Sequence, residues 1–208
     1  MSVFQDEHTH KDRMQRWVFA SYSVGKQDVR LFHLIPIIHS LGRLDCQLIE
    51  SAHNALSPDP NDISLFSDHF TLSYLWVLGT YEWIRTMHQS VKEFPQFGAE
   101  QKARSQETEL FFRRIRVPLA KFEGAKRYKE TDGPIAYPAT HSKDGAAWLL
   151  NSDTCITRLA LSDRALALLE YLRSTTIPAA GGTRYQKIHA AMPISLSARQ
   201  KRRPPPLQ

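Results

Sequence analysis

The segment Leu72–Ile84, LSYLWVLGTYEWI, limits the fold more than any other part of the chain. It is apolar on nearly every side, yet shorter than the roughly 20 residues a membrane helix requires. Such a stretch belongs to a helix at the centre of a bundle, touched by neighbours all round. Gly79 within it costs about 1 kcal/mol relative to alanine in a helix interior, and so marks a place where another helix comes close. Ser67 or Asp68 can cap the helix, which is expected to run on through Arg85 and His88 towards Phe94.

Flanking patterns supply the rest of the bundle. Leu34, Ile37, Ile38, Leu41, Leu44, Leu48, Ala52 and Ala55 recur at steps of three and four, predicting an amphipathic helix with Pro36 in its first turn. Ser57–Asp62, with two prolines among polar turn residues, breaks the chain. A third helix is predicted from Ala99 to about Val117, its polar half Glu100–Glu109 projecting into solvent and Leu110, Phe111, Ile115 and Leu119 docking the rest. Trp17–Val24, WVFASYSV, alternates in part and ends at a glycine, so it reads as a short strand. Ala147–Leu150 and Thr154–Thr157 around Asn151-Ser152-Asp153 predict a hairpin, and Ser162-Asp163 caps a short last helix striped by Leu166, Leu169 and Leu172. The expected fold class is mainly α: a helical bundle of three long helices and a short fourth with a small β-hairpin. It occupies residues 1–176 as a single domain, with a polar N-terminal arm and the hairpin near 146–158.

The formal charge of +6 resembles a nucleic-acid signal until it is divided along the chain. Ile177–Gln208 holds six basic residues and no acid, leaving 21 of each sign in the remainder. The excess therefore lies in a tail rich in proline and glycine, whose composition predicts flexibility. Arg199, Lys201, Arg202 and Arg203 in that tail are its candidate contacts to RNA or to an acidic partner. Cys46 and Cys155 stand far apart and outside any CxxC pair, so neither a disulfide framework nor a zinc site is expected. The His8/His10 pair has no third ligand nearby and is expected to be solvated. Without a basic-then-apolar leader or a membrane span, the cytoplasm is the expected compartment.

P-loop, GxGxxG, HExxH and GxSxG motifs are missing, which leaves standard nucleotide, zinc and serine-hydrolase chemistry unsupported and no cofactor expected. The candidate catalytic residues are Glu82, Arg85 and His88, spaced on one helical face after the apolar stretch. Two readings compete. In the first, Glu82 and Arg85 form a buried structural ion pair beside a satisfied histidine. In the second, the arginine stabilises a developing phosphorane while the histidine moves protons, as in metal-free RNA cleavage. Arg113, Arg114, Arg116, Lys126, Arg127 and Lys129 form a second basic stretch, with Tyr128 available to stack on a base; the competing reading is a solvated helix end.

The aromatic helix with its polar end, LGTYEWIRTMH (Leu78–His88), in a four-helix arrangement over about residues 30–122, resembles the HEPN superfamily of bacterial helical proteins. The resemblance implies an interaction or regulatory protein working with another protein or with a second copy of itself. For the members that cut RNA it implies a metal-independent endoribonuclease, with an arginine and a histidine separated by four to six residues. Arg85 and His88 are separated by two residues; Arg184 and His189 in the tail have four between them, a match that chance alone supplies.

Overall fold

The computed structural model describes residues 3–55 and 63–175, with side chains for 11–52 and 64–175. All of these fall within one unit, Met1–Thr176. The turn at 57–62, the side chains of His8 and His10, and the tail with Arg184, His189, Arg199, Lys201, Arg202 and Arg203 lie outside the described residues. In chain order the elements are helices α1 (Val3–Gly25), α2 (Val29–Ala55), α3 (Ile63–Glu93) and α4 (Ala99–Lys121), then strands β1 (Tyr137–His141), β2 (Gly145–Leu149) and β3 (Cys155–Thr157), and helix α5 (Arg158–Ser174). The fold is mainly α with a small antiparallel sheet ordered β1-β2-β3.

The stretch expected to be a strand, Trp17–Val24, is the second half of α1, and from Val3 the expected polar arm is its first half. Burial shows why. Trp17, Ala20, Ser21 and Val24 are all buried, at the i, i+3, i+4, i+7 spacing of one helical face. A strand would put Trp17 and Phe19 on the same side, but Trp17 is fully buried while Phe19 is 58% exposed. α2 begins earlier than its leucine stripe, because the Asp28 carboxylate accepts from the Arg30 N–H at 2.8 Å and caps it there. Pro36 is consequently inside the helix and not in its first turn. Two glycines set the packing distances. A Cβ on Gly42 would lie 2.7 Å from the Trp17 ring, and one on Gly79 would lie 3.2 Å from Leu41, so α1 and α3 both approach α2 where it or its neighbour lacks a side chain.

The polar half of α4 does not project into solvent as expected: Gln101, Ser105, Thr108 and Glu109 are buried. They are accommodated through hydrogen bonds, Gln101 to Thr175, Ser105 to His88, Thr108 to the Arg104 carbonyl and Glu109 to Tyr81 and Arg113. Pro118 lies inside the helix, which continues to Lys121. α5 starts at Arg158, ahead of the expected Ser162-Asp163 cap, because Thr157 Oγ1 accepts from the Ala160 N–H at 3.1 Å. In the sheet, Pro138 sits on the edge strand β1, where a missing N–H is tolerated. Ala146, Ala147 and Trp148 of β2 and Ile156 of β3 are buried, and Trp148 and Ile156 join the hydrophobic core formed with the helices.

A fully buried carboxylate joins three helices. Asp45 of α2 accepts from Arg13 Nε at 2.7 Å and Trp17 Nε1 at 3.1 Å, both on α1, and pairs on its other oxygen with Arg158 of α5. Arg13 continues to Ser162 Oγ at 2.7 Å and to Asp163 at 2.8 Å. Burial alone would raise the Asp45 pKa, but Arg158 and Arg13 outweigh it and hold the carboxyl below its ordinary range.

Candidate functional site

On α3, Tyr81, Trp83, Ile84 and Met87 point into the core, and this rotation carries Glu82 and Arg85 outward. Their side chains are 50% and 52% exposed, joined by a 3.0 Å bond from Arg85 Nε to Glu82 Oε2. The expected buried ion pair is therefore a surface pair: α3 is apolar all round only as far as its central turns. Arg116 of α4 reaches the other Glu82 oxygen at 3.8 Å, its guanidinium 5.2 Å from the Tyr81 ring centre.

His88 does not join them. Its Nδ1 lies 3.0 Å from Ser105 Oγ on α4. The Ser105 hydroxyl already donates to the Lys102 carbonyl at 2.9 Å, so it accepts from His88 Nδ1–H, which leaves the lone pair on Nε2. Burial pushes the His88 pKa down, with Glu109 opposing it. The structure thus joins Glu82 with Arg85 and ties His88 to a neighbouring helix.

The basic stretch on α4 and the loop after it divides in two. Arg113 is paired with Glu109 at 2.6 Å. Arg114 forms a two-pronged pair with Asp132, Nε to Oδ2 and Nη2 to Oδ1, each 2.7 Å, and its guanidinium stacks 4.4 Å from the Tyr128 ring centre. Hydrogen bonding by Arg114 is the main reason the Asp132 carboxyl stays below its ordinary pKa. Asn151 Nδ2 donates to the Thr131 carbonyl at 3.0 Å and to Asp132 at 3.2 Å. These bonds clamp the 126–132 loop and the β2–β3 turn onto α4. Lys126, Arg127 and Lys129, on and beside a single 3-10 turn, are exposed and carry no ion pair among the described residues.

A cleft of about 370 Å³ opens here, lined by Leu110, Arg113, Arg114, Lys126, Arg127 and Tyr128. A second hollow, of about 570 Å³, shares Arg114 and Tyr128 and is otherwise lined by Thr131, Asn151, Ser152, Asp153 and Thr154. Sequence reasoning found the cations and Tyr128 but missed Asp132, Asn151 and Asp153. No spacing rule relates positions 114, 132 and 151, since folding alone brings them together.

Among the described residues no helix is long and apolar enough to cross a membrane. No group of three or more His, Cys, Asp or Glu among them could hold a metal ion. Comparison of the chain with protein-family models, with curated proteins and with solved structures finds no match.

Proposed function

We propose that this chain is a helical binding and regulatory protein whose ligand is single-stranded RNA, held at the cleft between α4 and the 126–132 loop. The observation that carries this reading is the set of three cations, Lys126, Arg127 and Lys129, unpaired among the described residues, around a tyrosine held by Arg114. Unpaired surface cations attract phosphates, and an aromatic face supports a stacked base regardless of its identity. Fixing Tyr128 beforehand lowers the ordering cost of binding. Arg114 serves here as a support, because Asp132 already balances its charge. A HEPN-like helical body, as the resemblance of Leu78–His88 implies, would accord with a protein that works by binding. Cleavage by Glu82, Arg85 and His88 gains no support from the pairing of Arg85 on the surface and of His88 with Ser105.

Fluorescence anisotropy with a labelled oligouridylate, at several salt concentrations, tests the proposal on the full chain. Replacing Lys126, Arg127 and Lys129 together by alanine should weaken binding. It should also flatten the log–log salt dependence by about 2, at about 0.7 for each lost contact to a single strand. Neutralising Arg199, Lys201, Arg202 and Arg203 in a separate variant measures the share of the tail. Unchanged affinity in the loop variant, with all binding lost in the tail variant, overturns the cleft as the site.

A further inference from the structure

The second hollow bears on what kind of base the cleft would take. Asn151 is fully committed: Nδ2 holds Thr131 and Asp132, and Oδ1 accepts from the Asp153 N–H at 2.8 Å. Arg114 is likewise committed to Asp132. The exposed Asp153 carboxylate differs: among the described residues it accepts a single bond, from Ser152 Oγ at 3.1 Å, and has no cationic partner. An ionised carboxylate only accepts hydrogen bonds, and it repels phosphate. Asp153 lines the same hollow as Tyr128, so a base stacked at Tyr128 would meet there a carboxylate that favours an edge made of N–H donors.

Resting on the RNA reading above, we infer that this hollow selects guanine, with the Asp153 carboxylate accepting from the base N1–H and N2–H together. Guanine is the base whose Watson–Crick edge sets two adjacent N–H donors against the two oxygens of one carboxylate. Uracil offers one N–H flanked by two carbonyl oxygens, which the carboxylate repels. Single-stranded RNA exposes these edges for such readout.

The test compares a labelled oligouridylate with the same strand carrying one central guanosine, using anisotropy on the full chain. The guanosine strand should bind about tenfold tighter, the scale of one good two-pronged base contact. Asp153→Asn should remove that preference, read as the ratio of the two strands' affinities in the same variant. Oligouridylate binding without a preference for guanosine overturns the guanine assignment alone, as does a preference that survives in Asp153→Asn. Failure of both strands to bind overturns the RNA reading and this inference with it.

Discussion

Two carboxylate–arginine pairs occupy opposite environments in this molecule. Asp45 and Arg158 have side chains 0% and 2% exposed, whereas Glu82 and Arg85 are half exposed. Each pair is a direct contact of an arginine with an acid, so the contact itself does not distinguish them. Burial does. In the interior, a charge deprived of its partner has no water to replace it, whereas on the surface water takes over. Asp45 thereby fixes how α1, α2 and α5 meet, and Glu82 decorates a helix that packs the same way without it. The cleft is built on the same contrast: Arg114 is committed to Asp132 and anchors the loop, and its neighbours Lys126, Arg127 and Lys129 have no ion-pair partner among the described residues.

The largest effect is expected at the buried pair. Asp45→Ala leaves Arg13 and Arg158 without their shared acceptor, and should lower unfolding stability by about 3–5 kcal/mol. Urea denaturation measures this directly. A loss below about 1 kcal/mol would erase the contrast, since the buried cluster would then weigh no more than a surface pair.

The pH dependence separates the same two environments. His69, buried beside Ser51 with Arg158 nearby, and His88, bound to Ser105, have pKa values lowered chiefly by burial from the ordinary 6.5. Below that pH the unfolded chain takes up protons that the folded histidines refuse, so stability falls with pH until the folded residues also protonate. Asp45 acts in a lower range. Its contribution is present above the ordinary value of 3.8 and is lost as pH falls through its depressed folded value. Denaturation midpoints between pH 7 and pH 5 should therefore decline, and the decline should shrink in His69→Gln and His88→Gln. An unaltered slope in both variants would mean that other groups govern this range.

Much of the helical frame was legible because burial follows periodicity. The close approach at Gly79 and the stripe of Leu166, Leu169 and Leu172 appear in the sequence as they do in the fold, whereas α3, expected to be touched by neighbours all round, leaves Leu72 and Leu75 41% and 51% exposed. Trp17–Val24 misled because partial alternation of aromatic residues mimics a strand, although Trp17, Ala20 and Val24 also satisfy a helical period. Polar residues on α4 misled for a different reason: a segment such as Glu100–Glu109 looks solvent-bound when its partners, Tyr81, His88 and Thr175, come from elsewhere in the chain. Asp45 did leave a trace. It falls on the inward face of α2 between Ile38 and Leu48, and an acid on an apolar face needs a buried cation. Which arginine would supply it was beyond local pattern, since Arg158 lies more than a hundred residues further on.

The smallest effect is expected at Arg85, which one of the two sequence readings placed in a buried ion pair. A buried partner of Glu82 would cost about 3–5 kcal/mol on removal, but the observed pair is exposed to solvent on both sides. Exposed pairs of this kind contribute about 0–1 kcal/mol, and Glu82 retains Arg116 at 3.8 Å after Arg85 is gone. Arg85→Ala should therefore unfold within about 1 kcal/mol of the parent chain, and added salt should narrow the difference further. The same variant speaks to chemistry as well as stability. Incubated with mixed RNA, with and without EDTA, the parent chain and Arg85→Ala should behave alike. Cleavage by the parent that disappears in a stably folded Arg85→Ala would restore this surface as a catalytic one, with Arg85 acting on RNA.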